Sequence, residues 1–230
     1  MTRLNSRDIE WIMRGMARAI TGLDLPVVEK IAEEARDDAF RVLIATILSA
    51  RTQDATTAAA SDRLFRKAAD ARRMAELPVT AIARLIYPVS FYRTKARHVK
   101  AACRQLIDRF GGRVPGTMEE LLTLPGVGRK TANLVLILGF KSLRNICVDI
   151  HVHRISNRLG WVATRTPEQT EQALYERVPA RWWPYLNLYL VTWGQNVCRP
   201  THPRCGECAV ASRCPRLGVT RVGKPRTTRA

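Results

Sequence analysis

Apolar positions recur at helical spacing along most of the chain. Phe40, Leu43, Ile44, Ile47 and Leu48 follow i, i+3, i+4, i+7, i+8, which predicts an amphipathic helix ending near Ala50. Asp54 is placed to cap a following Ala-rich helix that runs through Phe65. Thr117-Met118-Glu119-Glu120 and Thr166-Pro167-Glu168-Gln169 both read as capping boxes, the second with Pro at the first helical position. Pro184 can start a further helix through Tyr185, Leu188, Val191 and Trp193 towards Cys198. One stretch disagrees: Ile146, Val148, Ile150 and Val152 alternate with Cys147, Asp149, His151 and His153, a strand-like period of two. A lone strand has no partner, because no other alternating run is convincing. The segment is therefore expected to be an extended connection entering a helix near His151, and the fold class to be all-α. No repeat of fixed period is visible.

Composition narrows the partner. The 230 residues allow one large domain or two small ones, and 46% hydrophobic with 25% charged residues is ordinary for a folded chain. Lys and Arg outnumber Asp and Glu by 38 to 20, a formal net charge of +18 that points to a polyanion, either nucleic acid or an anionic membrane surface. The longest apolar run, Leu134 to Phe140, is far short of a membrane-spanning helix. The segment Met1 to Asp8 has neither the apolar core nor the cleavage site of a signal peptide. These features lead to the expectation of an intracellular, soluble, basic protein with no membrane partner.

Four of the six cysteines, Cys198, Cys205, Cys208 and Cys214, form a C-x6-C-x2-C-x5-C array. In a chain without a secretion signal such clustering reads as metal ligation before disulfides. A [4Fe–4S] cluster, zinc and free thiols all remain open on spacing alone, although only Cys205/Cys208 has the C-x2-C spacing of a zinc knuckle. Cys103 and Cys147 stand apart and read as small buried hydrophobes. Past Cys214, residues 215–230 form a basic tail that carries Arg216, Arg221, Lys224, Arg226 and Arg229 without an acidic residue. It would add attraction to phosphates rather than sequence reading.

The most informative stretch is Leu124-Pro125-Gly126-Val127-Gly128-Arg129-Lys130-Thr131-Ala132. Pro125 ends one helix, two glycines permit a tight turn with outward amides, and the next helix starts at once. The positive end of that helix and the turn amides make a cradle for an anion, and a DNA phosphate suits it.

This string resembles the helix–hairpin–helix of base-excision DNA glycosylases, and it is especially similar to that of the endonuclease III family. Four further motifs resemble the family in order: Leu48-Ser49-Ala50-Arg51-Thr52-Gln53-Asp54, Phe91-Tyr92-Arg93-Thr94-Lys95-Ala96, Val148-Asp149-Ile150-His151-Val152-His153-Arg154, and the cysteine array. The resemblance implies a [4Fe–4S] cluster on Cys198, Cys205, Cys208 and Cys214, with Lys130 as nucleophile and Asp149 as its partner. It implies two helical lobes flanking a DNA-binding cleft, one of residues 32–142 with the hairpin, the other of residues 1–31 and 143–214 with the cluster loop at 198–214. The chemistry fits both residue types: a carboxylate stabilises the oxocarbenium character at C1′, and a neutral amine attacking C1′ gives a Schiff base. Burial and nearby helix N-termini favour the neutral amine.

Excision requires the base to leave the stack, and the resemblance implies that Arg51 and Phe91 fill the gap. Gly126, Val127, Gly128, Arg129, Arg199 and Arg204 would contact the DNA, with Arg213 adding charge to the cluster loop. Arg51 stands where well-known members have Gln, Ile150 where Thr is usual and Ser90 where Gly is usual, which leaves opposite-base preference and pocket shape open. The implied activity is a bifunctional DNA glycosylase/AP lyase acting on oxidised pyrimidines or abasic sites in double-stranded DNA, as a cytoplasmic, nucleoid-associated monomer. An AP lyase with little glycosylase action, a mismatch glycosylase, and a non-catalytic DNA-binding module are the rivals.

Overall fold

The computed structural model describes residues 5–35 and 38–224, and among these there is no strand. The helices in chain order are α1 (Ser6–Ala19), α2 (Val27–Glu34), α3 (Ala39–Ser49), α4 (Asp54–Lys67), α5 (Ala71–Glu76), α6 (Val79–Ile86), α7 (Tyr92–Phe110), α8 (Met118–Leu122), α9 (Arg129–Gly139), α10 (Ile150–Arg158), α11 (Pro167–Arg177) and α12 (Leu186–Asn196). Short 3-10 turns cover Ala180–Tyr185, Cys205–Glu207 and Ala211–Arg213. No described helix is long and apolar enough to cross a membrane.

The chain divides into two compact units, Pro26–Ser142 and the two flanking segments together. The first boundary lies at Leu25/Pro26 rather than at 31/32, because Pro26 opens α2 and buries Val27 and Val28 within the continuous unit. Asp54 explains part of this. It is the first residue of α4 rather than its cap, which is Gln53, and its Oδ2 accepts from the Val27 N–H at 3.0 Å, tying α2 to the start of α4.

In the continuous unit the core is built on α3 and α9. Phe40, Val42, Leu43, Ile44, Ile47 and Leu48 are buried on α3, and Leu134 through Leu138 on α9. These two helices pack directly, and at Gly139 a Cβ would lie 2.9 Å from the Ala39 Cα, so only glycine permits the approach. α5 and α6 pack against α7, which also packs against α3. Each fully buried Leu or Ile contributes about 1.5–3 kcal/mol relative to exposure, which is why an apolar helix such as α9 is stable inside.

In the other unit, Ile9, Ile12, Met13 and Met16 form one stripe of α1, in a core with Val152 and Ile155 of α10 and Leu186 and Leu190 of α12. The alternating stretch resolves as expected into an extended connection. The helix begins at Ile150, one residue before His151, because the Asp149 carboxylate accepts from the amides of His151 and Val152 at 2.8 and 2.9 Å. Thr117 and Thr166 each cap the third residue of the following helix, but the return bonds differ from a full box. Glu120 accepts from the Thr117 hydroxyl, and Gln169 accepts from the Arg165 amide. Pro184 lies inside the 3-10 turn preceding α12 rather than at the start of that helix. Arg226 and Arg229 of the basic tail lie outside the described residues.

Two buried or shielded acids give pH-dependent predictions of opposite sign. Glu10 of α1 accepts from Trp182 Nε1 at 2.6 Å, Arg14 Nε at 2.7 Å and Arg181 Nη2, which holds its carboxyl down to about 2, the Trp182 bond contributing most. Its stabilisation is complete above the ordinary carboxyl range and is lost as pH falls towards 2. Glu10→Gln therefore lowers stability by about 1 kcal/mol at neutral pH, and the gap in melting temperature closes between pH 4.5 and 2. Glu29 of α2 is buried, and desolvation, aided by Glu33, pushes its carboxyl up to about 7 against the pull of Lys141 and Lys130. Here the folded state binds the extra proton, so stability falls as pH rises from 4.5 to 7. Glu29→Gln should raise the melting temperature at pH 8 and leave it unchanged at pH 4, as thermal denaturation across that range would show.

Candidate functional site

The hairpin joins α8 to α9 through two local hydrogen bonds, Leu124 N–H to Leu121 O and Val127 N–H to Leu124 O, both 3.1 Å. Leu124 and Val127 face inward, so the turn is anchored by its apolar residues while Gly126 and Gly128 stay exposed. Gly126 has φ +81°, and a Cβ there would also sit 3.0 Å from the His98 side chain, two separate reasons for glycine. Gly128 is the extended N-cap of α9, with no side-chain cap and open space around it. An uncapped, exposed helix N-terminus offers amide donors and a partial positive charge to an anion. The Val127 amide is used within the turn, so its side chain anchors and its N–H is not on offer. Arg129 is exposed as the first residue of α9, and Lys130, the second, is half-buried. Buried Glu29 lies within electrostatic reach of Lys130, a neighbour that no sequence motif announced.

Arg51 and Phe91 belong to two other turns of the same unit. Both are exposed, Phe91 to 65%, and both adopt left-handed backbone, φ 54° and 55°. The hairpin, Arg51 and Phe91 thus all lie in Pro26–Ser142.

Asp149 belongs to the other unit, at the head of α10. Its Oδ1 takes both capping bonds, which fixes the carboxylate at the half-buried helix end. Ile150, the next residue, is 68% exposed, an unusual setting for a large aliphatic side chain.

The four array cysteines line one cavity with Met16, Trp193 and Val210. All four are half-buried, and desolvation pushes the thiols of Cys208 and Cys214 up. Among the described residues no three His, Cys, Asp or Glu side chains form a ready-made site for a single metal ion. In the same wall the buried Trp193 indole N–H faces the Cys208 sulfur. Cys103 and Cys147 are buried elsewhere, as expected, and burial pushes the Cys103 thiol up to about 12.

The loop's arginines divide by role. Arg199 is exposed. Arg204 is half-buried and donates to Asn196 O at 3.2 Å, and Arg213 pairs with Asp8 at 3.0 Å over the Trp11 ring. Those two fasten the loop to α12 and α1. Two further arginines, absent from the sequence-based site, come from α10. Arg154 donates to Cys198 O at 2.9 Å, and Arg158 donates to the carbonyls of Arg199 and Pro200 at 2.6 Å and to the Cys198 sulfur at 3.5 Å. Their i, i+4 spacing on a helix that opens with the Asp149 motif was the available signal.

Known proteins share this sequence and fold. The sequence profile of the HhH-GPD superfamily base excision DNA repair protein matches residues 44–180. Endonuclease III of Thermotoga maritima is 48% identical over 177 residues, covering 77% of this chain and 83% of that protein. Endonuclease III of Synechocystis sp. is 41% identical over 175 residues, covering 76% and 80%. A solved structure of a trapped endonuclease III–DNA covalent intermediate superposes with a TM-score of 0.81 at 30% identity, covering 93% of this chain and 97% of that one. An all-helical chain with this hairpin, lysine and cysteine loop belongs to the HhH-GPD superfamily of base excision DNA repair proteins and, within it, to the endonuclease III family.

Proposed function

We propose that this DNA glycosylase is bifunctional: it removes oxidised pyrimidines such as thymine glycol from double-stranded DNA and nicks the strand 3′ to the abasic site. The observation that carries the reading is the uncapped, exposed N-terminus of α9 with Lys130 as its second residue. A phosphate bound at those amides sets a sugar in register with the lysine beside them. As the glycosidic bond breaks, the base departs with the bonding electrons and C1′ becomes positive, a charge that the Asp149 carboxylate stabilises. The neutral Lys130 Nζ lone pair forms the bond to C1′; one of the nitrogen's protons passes to O4′ as the C1′–O4′ bond opens, leaving the protonated imine. The imine acidifies the C2′ proton; its removal expels the 3′ phosphate, and water then releases the lysine. The exposed Ile150, next to Asp149, presents an apolar surface to the base where a hydroxyl is usual in the family.

Cys198, Cys205, Cys208 and Cys214 would hold a [4Fe–4S] cluster. The shared cavity, the Trp193 indole facing Cys208 and the Arg158 bond to the Cys198 sulfur all suit a group with acceptor sulfurs and thiolate charge. When bound, the cluster supplies four covalent ties that order the loop. Arg199, exposed on that loop, would then meet a phosphate, with Arg204 and Arg213 bracing it.

Two measurements test these assignments. Borohydride should trap the wild type covalently on duplexes carrying thymine glycol and on duplexes carrying an abasic site. Lys130→Gln should trap on neither, with cleavage reduced roughly 10³-fold or more and abasic-duplex affinity little changed. Trapping on the abasic duplex alone would reduce the reading to a lyase, and cleavage by Lys130→Gln would remove the lysine from its role. Protein prepared without oxygen should be brown and contain iron and acid-labile sulfide in equal amounts, and Cys205→Ser should lose both. A colourless protein loaded with zinc would refute the cluster.

A further inference from the structure

Arg51 and Phe91 adopt a backbone conformation that costs a non-glycine residue roughly 1 kcal/mol or more. Both side chains are exposed, so packing of those side chains does not hold the conformation in place. The restraint comes from below. Lys95, in the first turn of α7, is 7% exposed. Its Nζ donates to Leu48 O at 2.7 Å, Ala50 O at 2.6 Å and Thr52 Oγ1 at 3.2 Å, which uses all three protons of an ammonium. Leu48 and Ala50 lie at the C-terminal end of α3, where carbonyls lack intrahelical donors. Thr52 Oγ1 also accepts from the Ser90 N–H at 3.2 Å, and the Lys95 backbone N–H donates to Phe91 O at 3.0 Å. The same residue is therefore bonded to both neighbours of Arg51, to Phe91 itself and, through Thr52, to the residue before Phe91.

No carboxylate pairs with Lys95 among the described residues, and burial brings its amine down to about 8. A buried cation without a counter-ion is a poor choice for stability alone. It suits a task that needs three strong donors at the meeting point of two turns.

We propose that Lys95 is a positioning residue that clamps the Arg51 and Phe91 turns together, so that the two side chains enter the duplex as one preformed wedge. The proposal rests on the reading that Arg51 and Phe91 fill the space left by the extruded nucleotide. Lys95 touches no DNA. Its contribution is to spare the protein the ordering of two loops at the moment of insertion.

The test uses a duplex with a tetrahydrofuran abasic analogue opposite 2-aminopurine, whose fluorescence rises when insertion unstacks it. Phe91→Ala and Lys95→Met should each cut the rise at saturating protein by about threefold or more, and the double variant should fall no further, because both remove one event. For Lys95→Met and Thr52→Val, affinity for undamaged duplex should change less than about twofold, since phosphate contacts dominate it. Thr52→Val, which removes the bridging hydroxyl but keeps the lysine, should give an intermediate loss, and it decides the matter if Lys95→Met does not fold. A full rise in Lys95→Met and Thr52→Val, with loss in Phe91→Ala, would overturn the clamp and leave insertion standing. A full rise in both Phe91→Ala and Arg51→Ala would overturn the insertion reading, and the clamp with it.

Discussion

Everything in the continuous unit depends on α9 being enclosed along its length yet open at its first residue. Leu134 to Leu138 are buried around the helix, and Gly139 brings its far end against the backbone of α3. A helix fixed so firmly at one end cannot pivot, so its N-terminus is presented at a set position and angle. The hairpin makes that end accessible: Leu124 and Val127 pin the turn inward, and Gly126 and Gly128 leave its outer side bare. The apolar core is thus what aims the amides outward and sets Lys130, half-buried, beside them.

The high positive charge is divided between outward and inward tasks. Arg129, Arg51 and Arg199 remain exposed. Arg154, Arg158, Arg204 and Lys95 donate to backbone carbonyls at loops and helix ends, and Arg213 to Asp8. Guanidinium and ammonium groups suit this because one side chain offers several donors to orphaned carbonyls. Net charge read from composition therefore overstates the electrostatic surface available to a polyanion.

The helices were legible because burial on one face imposes a period, and α3, α9 and α12 follow it. Asp149 as a cap, the inward Cys103 and Cys147, and the convergence of four cysteines on one cavity followed from local sequence in the same way. Asp54 was not legible: its position suits a cap, but the acceptor is drawn to Val27, 27 residues away. Arg204 and Arg213 read as basic loop residues because their partners, Asn196 O and Asp8, are set by tertiary contact. Lys95 and Glu29 escaped for the same reason. A buried charge has no periodic signature, and its role depends on what surrounds it.

The division at Leu25 and Leu143 has a consequence for how the chain is made. Pro26–Ser142 is contiguous and has its own core, so it can close as soon as it leaves the ribosome. The other unit cannot, because α1 packs with α12, the last long helix to emerge. The stripe of Ile9, Ile12, Met13 and Met16 must wait without its partner while the whole intervening unit is synthesised, on the order of ten seconds at about 5–20 residues per second. The four cysteines emerge later still. Nascent chains thus carry an unpaired hydrophobic helix ahead of the continuous unit, a natural handhold for a chaperone, and the cysteine loop takes its place only after that unit has closed.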